Sequence, residues 1–346
     1  MTLTETAYHA RQTIKFGAIF IVAAIALRFL WVGGFALYRT VFPPAPPPPE
    51  VKFNKLPALV FEPRSTTNQL TYNLEVPGGL PTMPIQANVF FMPTPQASFL
   101  NLDESNRLAK ALGFNSAGLP LSEVIYRFDH TEIPASLDVN IVNKTVSLSY
   151  NLALDSALLS AKPRSNQEAI SAARSFLSRG SLLVTDLELG RQELEFLKSS
   201  PEALTRVTSL SDANFVRVNF LRKNYDDLPV ITSRIDRGTV WLLVTGESSG
   251  PKQVIAGEYH YFPVDEEQKS TYPIKTSTEA FEELKAGRGL TISPPSSGNA
   301  ATIRRIYLGY YDSGKPQQYL QPVFVFDGDR EFRAIVPAVT SQYYGN

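Results

Sequence analysis

The sequence contains no cysteine. Disulfides, zinc–thiolate and iron–sulfur sites, lipoprotein anchoring and cysteine nucleophiles are therefore excluded. Net charge is missing too. The 33 basic residues balance 33 acidic ones, so no basic field exists to attract nucleic acid. Histidine is scarce: His9, His130 and His260 are the whole complement. None belongs to an H-x-x-x-H pattern or a pairing with a carboxylate at helical spacing, so no metal or general-base constellation is legible. A large exported domain without cysteine is unlike the small disulfide-built secreted scaffolds and fits a bacterial envelope protein held by core burial alone. The composition, 43% apolar and 19% charged, suits such a core.

What is present first is a long apolar run. Residues 16–37 read FGAIFIVAAIALRFLWVGGFAL, 22 residues with Arg28 as the one charge. At about 1.5 Å per residue, a helix of this length spans a hydrocarbon core of roughly 30 Å. The run exceeds the apolar stretch of a cleavable signal, roughly 7–15 residues, and proline-rich sequence follows it. It therefore predicts an uncleaved transmembrane signal anchor over 16–38, with Trp31 and Tyr38 as interface aromatics. Arg11 and Lys15 before it favour a cytoplasmic tail over 1–15 and an extracytoplasmic remainder, against which Arg39 counts. Arg28 has two readings. It snorkels while residues 29–37 lie shallow, or it makes an intramembrane contact with an acidic group on a partner helix.

Residues 42–50 read FPPAPPPPE. Proline locks φ and removes a donor, so this stretch predicts a stiff polyproline II spacer within a linker over 39–56. Strands dominate from there. Runs at 86–92, 122–130, 136–142 and 145–152 carry the alternating, β-branched and aromatic pattern of half-buried strands, with Asn143-Lys144 as a turn. A helix between them is capped by Asp103, faces inward with Leu108, Ala111 and Leu112, and ends at Gly113. A second helix starts at Ser165, with Glu168 completing a capping-box pattern, Ala169, Ile170, Ala173, Phe176 and Leu177 as its stripe, and Gly180 closing it. A further helical stretch is expected over 186–198. Strands follow at 214–222, 229–235, 239–245 and 253–262. A third helix starts at Thr276, with Glu279 three residues on, Ala280, Phe281 and Leu284 on its apolar face and Gly287 after it. Strands at 302–311, 321–326 and 331–338 complete the chain. The expected soluble units are a β-rich α+β domain over 57–160 and a second α+β domain over 161–346.

A weak repeat runs through the second part. Helix 165–179, strand 214–222, Leu228-Pro229-Val230 and a strand pair turning at Asp236-Arg237-Gly238 are matched by helix 276–286, strand 302–311, Gln321-Pro322-Val323 and a pair turning at Asp327-Gly328-Asp329. Each unit predicts a helix on one face of an antiparallel sheet, so the class is α+β with two or more lobes. Proline before each paired strand suits a strand start or edge. In these residues the chain resembles the extracytoplasmic PepSY-like and YycH/YycI-type regulatory modules, over about 165–338. The resemblance implies a single-pass anchor, an outward domain that is not an enzyme, and control of a membrane partner by protein contact. It supplies no catalytic residues.

Other candidate chemistry is weighed residue by residue. Gly246-Glu247-Ser248-Ser249-Gly250 matches G-x-S-x-G, but a nucleophile elbow needs strand, sharp turn and helix, with a later acid and histidine. Pro251 and another strand-like run follow instead, and turn chemistry explains the segment. Asp327, Asp329 and Glu331 alternate around a glycine without EF-hand spacing, which reads as a hairpin turn rather than a calcium loop. Asn143-Lys144-Thr145 is a sequon relevant only in a eukaryotic secretory host. Tyr310, Tyr311 and Tyr319 form a tyrosine-rich C-terminal region that reads as an interaction surface or as sheet packing. No catalytic residue, metal site or cofactor is expected. The expected function is protein contact at the envelope membrane. A cell-wall glycan or small-ligand binding module is the alternative, and a Ser248 hydrolase is third.

Overall fold

The computed structural model describes residues 3–41, 47–59, 61, 70–96, 98, 101–200, 203–296 and 298–345. The chain divides into two units, Met1–Pro48 and Pro49–Asn346. The first holds helix α1 (Leu3–Val41). Within it, Arg11–Arg39 is long and apolar enough to cross a membrane, and the side chains of that span are exposed. Phe20, Leu27, Phe29, Leu30 and Trp31, uncovered by the rest of the protein, make sense on a helix whose surroundings are apolar. Arg28 sits among them.

The second unit begins with β1 (Thr71–Leu74), β2 (Gln86–Phe91), α2 (Asn101–Ala111), β3 (Leu119–Pro120), β4 (Ile125–Asp129), β5 (Ala135–Asn140) and β6 (Val146–Tyr150). Then come α3 (Asn166–Arg179), α4 (Thr185–Leu189), β7 (Gln192–Ser199), β8 (Leu204–Val207), β9 (Phe215–Phe220), β10 (Val230–Thr232), β11 (Val240–Val244), β12 (Val254–Tyr259) and β13 (Asp265–Pro273). The last elements are α5 (Ser277–Lys285), β14 (Leu290–Ser293), β15 (Ala300–Asp312), β16 (Tyr319–Gly328) and β17 (Arg333–Pro337).

Among the described residues these strands form two sheets. A nine-stranded antiparallel sheet runs β3-β4-β5-β6-β12-β11-β9-β7-β8. Helices α2 and α3 cover one of its faces. Ala109, Leu112, Ala169, Ala173, Phe176 and Leu177 interlock there with Val216, Val218, Val240 and Leu242. An eight-stranded sheet is built on β1-β15-β16-β17-β14, with β10 beside β15 and β2 joining β16 to β13. Helix α5 covers it through Ala280, Phe281 and Leu284, packed with Phe324, Phe326 and Val336. The α+β class with helices on one face of antiparallel sheets is thus what forms. Two parallel pairings, β1 with β15 and β10 with β15, are the exceptions.

Helix ends follow local chemistry. The Ser165 hydroxyl accepts from the Glu168 N–H, and at α5 Thr276 and Glu279 make the full reciprocal capping box. Gly113 and Gly287 take the left-handed conformation after α2 and α5, at φ +97° and +73°. At the end of α3 that role falls to Ser181, at φ +55°. Gly180 is closely packed: a Cβ there would lie 3.0 Å from the Leu108 side chain of α2 and 3.2 Å from that of Leu112 just after it.

Several expectations need correction. Residues 186–198 do not form one helix. Helix α4 is a single turn ending at Leu189, and Gln192–Ser199 is strand β7. Leu194 and Phe196 turn to the α3 side while Glu195 and Leu197 turn to the other, the period of a strand. Helix α2 starts two residues before Asp103, and its buried stripe runs through Asn101, Ser105, Ala109 and Leu112, leaving Ala111 exposed. The first expected repeat unit does not close as a strand pair. Strand β10 joins the eight-stranded sheet while β11 joins the nine-stranded one. Pro322 lies inside β16 rather than at its start, where β16 passes from β2, paired at Leu320, to β17, paired from Val323. A missing N–H is harmless at such a change of partner.

The expected division at 160/161 is not a break between sheets. Strand β6 pairs with β12, and β2 pairs with β13, so both sheets draw on both segments. The expected linker over 39–56 is likewise too long. Glu50 and Lys52 hydrogen-bond β13 through Thr271 and Ser270, and Leu56, 1% exposed, bridges to Tyr344. Residues 42–46 of the proline stretch lie outside the described residues.

Candidate functional site

A cleft of about 990 Å3 opens beside the covered face of the nine-stranded sheet. Residues 93–96, helix α2 from Asn101 to Ala111, the β5–β6 turn, the end of α3 and residues 259–263 at the end of β12 surround it. Each wall is placed by a local device. The Asn140 carboxamide accepts from the Val142 and Asn143 amides and folds the turn, and Lys144 sits there at φ +55°. Val139, Leu182, Tyr259 and Phe262 give the cleft an apolar floor, and Arg107, Arg179 and a Lys144–Glu104 ion pair at 2.9 Å give it a charged rim. Such an arrangement can hold an apolar segment or ring with polar anchors at its edge.

Behind Tyr261 lies a buried charge cluster that ties the two sheets together. Arg222, just after β9, donates to Asp312 at the end of β15, to Asp186 of α4 and to the Phe262 carbonyl, at 2.7, 2.7 and 2.6 Å. Asp186 also accepts from the Tyr225 hydroxyl at 3.0 Å and from the Lys223 amide. Asp312 accepts from the Gly314 amide. The Arg222 guanidinium lies 4.4 Å from the Tyr261 ring centroid. Burial works against the Arg222 charge, but Asp312 and Asp186 more than offset it and raise its pKa. Burial pushes the Tyr225 and Tyr259 hydroxyls up, and Tyr261 up to about 12. All three phenols are therefore neutral hydrogen-bonding groups near neutral pH.

The residues singled out from sequence are scattered. Tyr310 and Tyr311 are fully buried, not surface groups. Strand β15 is covered on both faces, so neighbouring side chains both point into packing. Tyr310 meets Phe90 and Tyr225, and Tyr311 meets Phe61. Tyr319 is half-buried against Phe53 and Phe91. Ser248 is exposed in the turn between β11 and β12, with no helix after it. His260 meets the Gly314 carbonyl at 3.3 Å. His130 stacks edge-on with Phe114 and accepts from the Glu132 amide. Asp327, Asp329 and Glu331 are engaged by arginines 305 and 333, 304, and 206 respectively, which is the chemistry of a salt-bridged turn. Among the described residues no group of three or more His, Asp or Glu is arranged to hold a metal ion.

Sequence reasoning missed Asp186, Arg222, Asp312, Tyr259 and Tyr261. One local signal was available: Tyr259-His260-Tyr261-Phe262-Pro263 alternates aromatic groups at a strand end and stops on proline. The three charges lie 36 and 90 residues apart and carry no local mark.

No family model matches the chain, and no curated protein does. A crystal structure of an uncharacterized protein from Eubacterium rectale ATCC 33656 is similar at 14% identity, over 76% of this chain and 85% of that one, with a TM-score of 0.42. The YpeB C-terminal domain from Bacillus megaterium is similar at 9% identity, over 72% of this chain and 95% of that one, with a TM-score of 0.31. At these scores neither likeness carries an argument about function.

Proposed function

We propose that the chain is a single-pass membrane-anchored protein whose second unit lies outside the cytoplasm and works by protein–protein contact, as a regulator or scaffold in a bacterial envelope. The apolar span of α1 supports the anchor. The observation that carries the contact reading is an apolar edge. Leu119, Leu121 and Val124 are 57%, 47% and 37% exposed within six residues at the outer end of the nine-stranded sheet. The edge strand β3 is two residues long and includes Pro120, so it offers little backbone to an added strand; the exposed apolar side chains beside it supply the anchors for a partner. Arg28 within the span is a second contact point, toward an acidic group on a partner helix.

The test is affinity capture of the full-length chain from native membranes in mild detergent, beside a Leu119→Ser/Leu121→Ser/Val124→Ser variant and an Arg28→Leu variant. The reading expects a reproducible protein partner that the triple variant loses. Recovery of the chain alone, or a partner retained by the triple variant, counts against it. A second reading, binding of a cell-wall glycan or small ligand, is favoured by the cleft at Tyr259 and Tyr261, since its volume suits a ligand site. Glycan binding lost in Tyr261→Ala and kept in the triple variant would select it.

A further inference from the structure

A second cleft, about 500 Å3, lies where β10, β15 and β17 of the eight-stranded sheet meet the start of β7, the end of β9 and the segment before β11. Arginine dominates its lining: Arg191, Arg234, Arg237, Arg305 and Arg333. Three carboxylates answer these five guanidinium groups. Arg191 pairs with Glu193, Arg234 with Asp236, and Arg305 and Arg333 share Asp327. Arg237 makes none of these pairs. Its Nε is buried with no acceptor among the described residues, and its guanidinium lies 4.7 Å from the centroid of the Trp241 ring. Arg217 stacks on the same ring at 5.2 Å. Burial lowers the Arg237 pKa, and repulsion from Arg217 and Arg234 lowers it further, against the opposing pull of Asp236 and Glu258. A buried N–H without an acceptor is a costly arrangement unless something supplies acceptor oxygens.

We propose that this cleft binds a phosphate-type oxyanion, with Arg237 at its centre and Arg191 and Arg305 at its rim. A planar guanidinium fork matches two phosphate oxygens at once. The donors come from three separate parts of the chain: the residue before β7, the loop before β11, and β15. Convergence of that kind suits a tetrahedral anion with several charged oxygens better than a single carboxylate. The site is independent of the protein-contact reading, since it lies away from Leu119, Leu121 and Val124 in sequence and uses none of them.

The full-length chain in non-ionic detergent is titrated with sodium orthophosphate at constant ionic strength, with chloride as the balancing ion, and its Tm is followed. The proposal expects a saturable rise specific to phosphate. Arg237→Gln abolishes it. Arg191→Gln, at a position whose side chain is 75% exposed, weakens binding at least about tenfold. Arg237→Lys fails to restore it, because lysine keeps the charge and loses the fork. A parallel titration with glycerophosphoglycerol separates sources. A response to the diester points to a lipid or polymer headgroup, and a response to orthophosphate alone points to the free ion. No phosphate-specific rise with either probe, or a rise retained in both Arg237→Gln and Arg191→Gln, overturns the proposal.

Discussion

Arg222 contributes to stability through what would be stranded without it. Its side chain is 2% exposed and stands between Asp186 and Asp312, at 8% and 1%. Removing one partner of a buried ion pair leaves uncompensated charge, which costs about 3–5 kcal/mol. Arg222→Met is therefore expected to lower stability by about that amount, read from the urea midpoint at neutral pH. A change below about 1 kcal/mol would mean that water already screens the cluster. Asp327 gives a pH signature. Burial disfavours its charge, but hydrogen bonds from Arg333, Arg305 and Tyr307 more than offset that, so its carboxyl is held below the ordinary range. A depressed folded-state pKa contributes stability that is fully present above the unfolded value, about 4, and lost as pH falls through the folded value. The Tm gap between wild type and Asp327→Asn is expected to stay level from about pH 7 to pH 5 and to narrow below about pH 4. A gap constant into strong acid would contradict the ion-pair account.

At the scale of elements, the G-x-S-x-G segment separates structure from chemistry. A Cβ on Gly246 would lie 2.3 Å from the Ala161 carbonyl oxygen, so glycine is required where residues 161–162 cross the end of β11. Gly246→Ala is expected to cost about 1–3 kcal/mol, while exposed Ser248→Ala stays within about 0.5 kcal/mol. Equal effects at the two positions would contradict a packing role for the glycine. Elements with caps or clean alternation were legible in the sequence: Ser165 and Thr276 mark helix starts, β4, β6, β9 and β11 lie within their expected runs, and β5 begins one residue before its own. Strand β7 was not legible. Its Gln-Glu-Leu-Glu-Phe-Leu-Lys composition favours a helix locally, and pairing with β9 overrides that preference. Strand β13 opens with seven charged or polar residues, pairs with β2 alone among the strands, and so shows the polar face of an edge rather than a hydrophobic run. The cleft was illegible for a related reason. Its walls meet only because β6 finds β12 across more than a hundred residues, and no local pattern encodes that pairing.

The whole chain joins an apolar helix to a unit with two helix-covered sheets. The absence of cysteine, which excludes so much chemistry, also makes the molecule's placement easy to read, because one introduced thiol is the only one to react. Ser249 lies in the β11–β12 turn with its side chain exposed, where a substitution is expected to stay within about 0.5 kcal/mol. The most direct measurement is therefore labelling of the full-length Ser249→Cys protein by a membrane-impermeant maleimide in intact cells, with Tyr8→Cys as the opposite-side control. A chain anchored by α1 with its second unit outside the cytoplasm is expected to label at Ser249→Cys before lysis and at Tyr8→Cys only after it, both in the membrane fraction. Labelling of Ser249→Cys only after lysis, or recovery of the protein in the soluble fraction, would contradict the account.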